Sequence, residues 1–126
     1  MKIRHRMIVL DAADIDAVSA FWAALLGGTV EPGERWHNIW VDGTWQLGVQ
    51  LAPGHVPPVW PDGAPQQIHL DFYVDDFDEA HEQVIALGGR LLKAAEDREA
   101  VYGVQVYADP AGHPFCLCWL PAATPS

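Results

Sequence analysis

Long hydrophobic runs, basic residues and cysteines are all scarce in this sequence, and each scarcity excludes a class of protein. No apolar run approaches the roughly 18 residues of a membrane span. The apolar stretch behind the charged N-terminus, residues 7–10, is too short for a signal peptide, so we expect a cytoplasmic protein. Lys and Arg number 7 against 17 Asp and Glu, and the formal net charge is −10. This balance argues against nucleic acid and anionic membranes as partners, because both favour basic patches.

The two cysteines, Cys116 and Cys118, are too few for a disulfide framework. They lie two residues apart on one predicted strand, so their side chains point the same way and are not expected to bridge each other. Three interpretations stay open for Cys116: a metal ligand, a nucleophile with His5 or His69 as its base, or a small apolar side chain in the core.

The sequence does contain a faint internal repeat, over residues 5–28 and again over residues 69–91. Each copy opens with a histidine before an apolar strand, His5 in the first and His69 in the second. An aspartate follows six residues later, and a helical pattern then runs to a Gly-Gly pair. Two units of this kind fill the chain.

Apolar residues at helical spacing predict one helix over about residues 15–26 and a second over about 77–87. Asp11 or Asp14 can cap the first helix, and Asp75 or Asp76 the second. The glycines after them, at 27 and 88, can end them. Strands are predicted at about 36–41, 44–51, 90–93, 101–107 and 114–120, with an Asp42-Gly43 hairpin turn between the first two.

The predicted fold class is therefore α+β, with two tandem βαβββ units forming curved mixed sheets around a cup-shaped cavity. A single domain is expected over residues 1–126. It comprises a first unit over 1–52, a stiff Pro-rich linker over 53–65 and a second unit over 66–121.

Alternation along the strands separates polar from apolar faces. His69, Asp71 and Tyr73 share one face of the strand over residues 68–74, and Gln46 and Gln50 share one face of the strand over 45–51. The apolar faces are expected to pack on the helices, so the polar faces point toward a wet or functional site. Among the other histidines, His81 is expected to be solvated, and His113 is expected to stabilise a turn.

The chain resembles the vicinal oxygen chelate superfamily, which includes glyoxalase I, extradiol dioxygenases, fosfomycin-resistance enzymes and bleomycin-resistance proteins. The likeness is greatest to its glyoxalase-like branch. Four segments carry the resemblance across the whole chain: His5 with Asp11 and FWAALLGG (21–28), HLDFYVDDFDEA (69–80), ALGG (86–89), and YADPAGHPFCL (107–117). The resemblance implies a sheet cup in each half and a homodimer.

Metal-dependent members of this superfamily bind a divalent ion at positions that correspond here to His5, His69 and Cys116. The family ligand at the third position is a glutamate, so Cys116 brings different chemistry. Hard ions such as Mn²⁺, Fe²⁺ and Ni²⁺ favour oxygen and imidazole, whereas a thiolate favours Zn²⁺. The residues are therefore consistent with a Cys-His₂ zinc site to which Asp71 adds a carboxylate. The missing glutamate is also what a member that has lost its metal would show, and this is the interpretation that we favour.

The leading hypothesis is a protein that binds a small organic molecule, apolar or aromatic, in a Trp-lined cup without an essential metal. Aromatic walls with a few polar groups suit such a ligand. The alternative is a lyase, isomerase or dioxygenase that depends on Zn, Mn, Fe or Ni, and a third interpretation is a cup filled by its own side chains. The residues predicted to line the pocket are His5, Trp40, Gln46, Gln50, Trp60, His69, Asp71, Tyr73 and Cys116.

Overall fold

The computed structural model describes residue 2, residues 4–65 and residues 68–121. Over these residues the chain has α+β structure with two successive βαβββ units, which confirms the predicted fold class. The first unit comprises β1 (Ile8–Ala12), α1 (Ile15–Leu26), β2 (Thr29–Glu31), β3 (Trp36–Val41) and β4 (Thr44–Leu51). The second comprises β5 (Leu70–Tyr73), α2 (Phe77–Ala86), β6 (Arg90–Lys93), β7 (Gly103–Ala108) and β8 (Pro114–Trp119).

Each unit forms its own four-stranded mixed sheet, and the two sheets have the same strand order. The first sheet runs β1-β4-β3-β2 and the second runs β5-β8-β7-β6. In both, the first strand lies parallel to the last, while the remaining pairs are antiparallel. The last strand of each unit therefore occupies an interior position in its sheet.

The first helix begins and ends where its capping residues predict. The Asp14 side chain accepts a hydrogen bond from the backbone N–H of Ala17 at 3.1 Å. Gly27 follows the helix with a φ of 70°, a left-handed conformation that glycine adopts without a steric penalty. One face of α1 is buried against the first sheet, and Trp22 on that face is only 1% exposed. The helix thus covers one face of this sheet.

The second helix follows the same plan with a narrower apolar face. The Asp76 side chain accepts from the backbone N–H of Glu79 at 3.1 Å. Phe77 and Val84 are its buried residues. The Phe77 ring meets Trp119 of β8 edge-on, with 4.7 Å between the ring centroids. Helix α2 therefore packs on one face of the second sheet.

The prediction that His81 is solvated is wrong. The side chain is half-buried, and its Nδ1 lies 2.6 Å from the hydroxyl of Tyr107, which is itself 0% exposed. The same hydroxyl accepts a hydrogen bond from Gln105 Nε2 at 2.9 Å. A buried tyrosine hydroxyl needs polar partners, and His81 supplies one from the helix.

Two turns take the conformations that their sequences predict. Asp42 and Gly43 both have positive φ, 50° and 75°, as the tight hairpin between β3 and β4 requires. In the turn before β8, the buried Asp109 carboxylate accepts hydrogen bonds from the backbone N–H groups of Ala111 and His113. His113 Nδ1 lies 2.6 Å from the second carboxylate oxygen, so His113 stabilises the turn.

The histidines that open the two repeats lie just ahead of the strands rather than within them. Strand β1 begins at Ile8, which pairs with Leu47 in the parallel register. If this register continued back to His5, His5 would pair with Thr44, the first residue of β4. Strand β5 begins at Leu70, opposite Phe115. His69 would therefore face Pro114, whose nitrogen has no hydrogen to donate.

The chain divides into two compact units between Val56 and Pro57, inside the predicted linker. Hydrogen bonds join the backbone of Val59 to Ala64 and to Gly63, at 2.7 and 2.8 Å, so this part of the linker forms an ordered turn. The Trp60–Pro61 peptide bond within it is cis. The predicted start of the second unit, residue 66, lies outside the described residues. Of the helices in the described ranges, neither has the length and apolarity that crossing a bilayer requires.

Candidate functional site

Each sheet has one face packed on its helix and one face that no described helix of the same unit covers, here called the helix-free face. In the second sheet, cross-strand pairing assigns residues to the two faces. Asp71 pairs with Cys116, and Cys116 pairs in turn with Val106. Cross-strand partners share a face, so these side chains lie on the face opposite Tyr107 and α2.

Three potential ligands meet on this helix-free face: His69, Asp71 and Cys116. His69 Nε2 lies 3.3 Å from Asp71 Oδ1. The Cys116 thiol forms a hydrogen bond with the Asp71 side chain. One donor atom from each residue falls within 4.8 Å of the other two. The structure thus brings together three predicted site residues, all from the second unit.

The environment of Cys116 keeps its sulfur protonated. Burial raises the pKa of the thiol to about 12, with further contributions from the hydrogen bond to Asp71, from the negative charge of Asp71 and from Cys118. Burial and then the charge of Asp71 also raise the pKa of Cys118. Both cysteines are free. Because the thiolate is the nucleophilic form of cysteine, this environment argues against a nucleophilic role at neutral pH.

The three donors do not fit the hard divalent ions of the superfamily. They offer one imidazole, one carboxylate and one sulfur, whereas such ions prefer oxygen ligands with imidazole. Sulfur ligates a metal as the thiolate, and in Cys116 the proton is engaged with the carboxylate that would share the ion. The residue that differs from the family pattern therefore weakens the site for those metals.

Trp60, a predicted pocket residue, lines a cavity of about 480 Å³ in the second unit, here called the Trp60 cavity. Val104 and Val106 of β7 form part of its floor on the helix-free face of the sheet. Tyr102 adds a second aromatic side chain, and Lys93, Glu96 and Asp97 supply charged groups. The lining is mostly apolar, with polar groups from one segment.

In the first unit, His5 stacks on Trp45 with 4.9 Å between ring centroids and 9° between ring planes. Trp45 in turn stacks on Trp40 at 6.2 Å. His5, Trp45 and Gln46 line an open groove of about 620 Å³, here called the N-terminal groove, together with Arg4, Arg6 and Thr44. Two predicted pocket residues, His5 and Gln46, are thus neighbours in one groove, and Trp40 supports its wall.

The remaining predicted residues, Gln50 and Tyr73, lie elsewhere. Gln50 is exposed on the helix-free face of the first sheet, between Asp11 and Trp36 in the strand register. Tyr73 is 65% exposed and lines a third groove, of about 780 Å³, beside α2. Within the described residues of the second unit, Trp60 and Tyr73 therefore line different surfaces.

Several residues that line these surfaces were not predicted from the sequence. Val104 and Val106 alternate with the buried Gln105 and Tyr107, and this alternation could have placed them opposite the core. Arg4 and Arg6 line a groove beside Trp45, which is distant from them in the sequence. No local signal points to that relation.

Comparison with known protein families gives one match, to a glyoxalase-like domain, over residues 7–118. This span covers nearly the whole chain and both βαβββ units. A comparison with curated proteins finds no match.

Solved structures share the fold over almost their full length. One is the fosfomycin resistance protein FosX from Listeria monocytogenes, with a TM-score of 0.71, 17% identity and 97% of each chain covered. A glyoxalase/bleomycin resistance protein/dioxygenase family enzyme from Burkholderia phytofirmans has a TM-score of 0.68 and 18% identity, over 90% of this chain and 96% of that chain. The bleomycin resistance determinant of transposon Tn5 has a TM-score of 0.62 and 18% identity, over 94% and 98%. These findings confirm the resemblance seen in the sequence motifs.

Proposed function

Because this chain belongs to the glyoxalase-like domain family, within the vicinal oxygen chelate superfamily, we propose that it binds a small, largely apolar or aromatic molecule without an essential metal. The Trp60 cavity carries this proposal, since a predicted pocket residue there lines an apolar cavity on the helix-free face of the second sheet. Its volume of about 480 Å³ lies within the range of roughly 300–1,000 Å³ that small-molecule sites occupy.

The lining of the Trp60 cavity indicates how such a ligand is held. Trp60 and Tyr102 offer aromatic surface, and the two valines of β7 offer a flat aliphatic floor. Planar apolar ligands gain most from such a surface, because aromatic contacts add to the free energy of burying apolar area. Lys93 and Glu96 provide polar ends that can orient a ligand through one substituent.

The charges around the family metal positions support metal-free binding. The Cys116 thiol and His69 both engage Asp71, so the polar atoms of this cluster are paired with one another. His5, the remaining family position, lies in a groove that also holds Arg4 and Arg6. Two guanidinium groups near an imidazole oppose the binding of a divalent cation there.

Resistance by sequestration is the biological role that we propose. One structure with the same fold is a bleomycin resistance determinant. A protein that only sequesters a toxic molecule needs a cavity and affinity but no reactive centre. The Trp60 cavity and the protonated Cys116 agree with this role.

The alternative function is a metal-dependent lyase, isomerase or dioxygenase. One observation favours it: His69, Asp71 and Cys116 present three possible ligand atoms within 4.8 Å of one another. Elemental analysis of the tag-free protein, before and after dialysis against a chelator, separates the two functions. We expect no stoichiometric metal, whereas about one tightly held ion per chain would favour the enzyme.

The ligand-binding proposal is tested with ligand-observed NMR on a set of small aromatic molecules, followed by calorimetric titration of each hit. Trp60→Ala is expected to weaken binding about tenfold or more, because an aromatic wall of the cavity is lost. Trp36→Ala, which removes a half-buried tryptophan from the other unit, is the matched control. Equal losses in the two variants, or no loss in Trp60→Ala, would contradict the proposed cavity.

The homodimer implied by the resemblance is also part of the proposal, as is a cytoplasmic location. Large apolar side chains such as Ile8 and Leu91 are exposed, and homodimer interfaces are more apolar than the remaining surface. Light scattering after gel filtration decides the oligomeric state, because the chain mass is 13.9 kDa. A molar mass near that of one chain would contradict the dimer.

A further inference from the structure

We propose that the N-terminal groove of the first unit is a separate binding site for a small oxyanion, a phosphate or a carboxylate. The site rests on residues of the first unit alone and does not involve the Trp60 cavity. Its ligand chemistry also differs, since the groove presents cations and hydrogen-bond donors.

The first argument is the distribution of charge. Three of the seven basic residues in this acidic chain, Lys2, Arg4 and Arg6, lie within its first six positions. Neither Arg4 nor Arg6 forms an ion pair with any residue that the structure describes, although the chain has 17 acidic residues. The residues that line the groove include no carboxylate. The groove is therefore a local positive surface on a strongly negative protein, and its charge is left for a ligand to neutralise.

The second argument is the surplus of hydrogen-bond donors. The Trp45 indole N–H is buried and has no acceptor among the described residues. An indole nitrogen can only donate, and a buried donor without a partner lowers stability. Thr44 and Gln46 add a hydroxyl and an amide to the same lining. Guanidinium groups bind carboxylates and phosphates through paired, charge-assisted hydrogen bonds, so an oxyanion matches the donors present.

The third argument is the support of the basic segment. His5 lies between Arg4 and Arg6 in the sequence, and its ring stacks on Trp45, which stacks on Trp40. This stack holds the segment against the start of β4. Because the segment is already held in place, it loses less conformational entropy when a ligand binds to Arg4 and Arg6. The volume of about 620 Å³ exceeds that of an inorganic phosphate, so the oxyanion can be one group of an organic molecule.

The test is an NMR titration of the ¹⁵N-labelled full chain, with inorganic phosphate in one series and acetate in another, at constant ionic strength. We expect saturable shifts of the Trp45 indole N–H and of the backbone amides of Thr44 and Gln46. Arg4→Gln combined with Arg6→Gln is expected to weaken binding at least about tenfold, because two charge-assisted contacts are lost. Raising the salt concentration is expected to weaken binding too, because the groove is open to solvent.

The control combines Arg35→Gln with Arg90→Gln, which removes the same charge from exposed positions outside the groove. Equal weakening in the two double variants would overturn the site, because it would show a general effect of net charge. Failure of both anions to saturate the wild-type chain would also overturn it. The tighter of the two anions identifies the ligand as a phosphate or a carboxylate. Trp60→Ala is expected to leave these titrations unchanged, so this proposal and the proposed function fail independently.

Discussion

The indole of Trp36 lies directly over the α-carbon of Gly48 on the helix-free face of the first sheet. A β-carbon at residue 48 would overlap the six-membered ring of Trp36. The ring is held in this position by its own N–H, which donates to Asn38 Oδ1 at 2.6 Å, while Asn38 Nδ2 donates to Glu31 Oε1 at 2.6 Å. Glycine is therefore required at this position for close approach of the indole.

Gly48→Ala is expected to destabilise the first unit by about 1–3 kcal/mol, because the new methyl group displaces an indole that is fixed at its N–H. Urea unfolding followed by circular dichroism gives this free energy. Gly54→Ala is the matched control, since a β-carbon there meets nothing within 4 Å. A stability of Gly48→Ala equal to that of the control would show that Trp36 moves aside freely.

Tyr107→Phe is expected to destabilise the second unit by about 1–3 kcal/mol. The hydroxyl that is lost bonds both His81 and Gln105, so the substitution leaves their polar atoms short of a partner in the interior. Tyr73→Phe removes the same atom from a side chain that is 65% exposed, and we expect a change below about 0.5 kcal/mol. Thermal and urea unfolding of both variants measure the difference, and equal stabilities would contradict the role of the buried hydroxyl.

Asp71→Asn is expected to lower the pKa of Cys116 from about 12, because it removes the negative charge beside the thiol. Burial, the larger cause, remains, so the pKa stays above the ordinary value of 9.0. Thiolate absorbance at 240 nm against pH, measured in a Cys118→Ser background, reports the change. Asp75→Asn, at an exposed position on the same segment, serves as the control. An unchanged titration in Asp71→Asn would contradict the contact.

The same thiol makes stability depend on pH at the alkaline end. The pKa of Cys116 is higher in the folded chain than its ordinary value of 9.0, so folding favours the protonated form. This contribution is complete below pH 9.0 and is lost as the pH rises through about 12. Urea unfolding across this range is expected to show a steeper loss of stability in the wild-type chain than in Cys116→Ala.

Cys116→Glu is expected to give this cluster an affinity for hard metals. The new carboxylate would stand beside Asp71 and His69, giving two oxygen ligands and an imidazole in place of the protonated sulfur. In the presence of a chelator, we expect repulsion between the Asp71 carboxylate and the new carboxylate at residue 116 to lower the melting temperature. Saturating Mn²⁺ or Ni²⁺ is expected to raise it by about 5 °C or more. Wild-type protein and Cys118→Glu are the controls, and an equal response in either would contradict this account of the site.

The parts of the fold that the sequence predicts are those that depend on neighbouring residues. The capping hydrogen bonds of Asp14 and Asp76 each reach a residue three positions later, and the Asp42-Gly43 turn involves four consecutive residues. Spacing along the sequence was therefore sufficient to predict these helix starts and this turn. Strand alternation put His69 and Asp71 on one face, because period-two side-chain direction is also local. The grouping of Cys116 with His69 came from the family resemblance and not from alternation.

The remaining features depend on contacts between distant segments. His81 and Tyr107 are 26 residues apart, and their contact depends on how α2 packs on β7. The stack of His5 on Trp45 depends on where β1 and β4 begin to pair. Periodicity identifies the strands of a sheet but not the register between them, so it could not predict the contact of His81 with Tyr107 or that of His5 with Trp45.

The strand order has a consequence for how the chain folds as it is synthesised. In the second unit, β8 lies between β5 and β7, so the last strand of the unit to be translated must insert beside strands made earlier. Until residue 119 is available, β5 has no partner in its sheet and α2 has no β8 to pack on. The strands of the first sheet are all available once Leu51 has been translated, while those of the second are not. A stalled or truncated chain that lacks β8 would therefore present the unpaired strand edges of the second unit to chaperones and proteases.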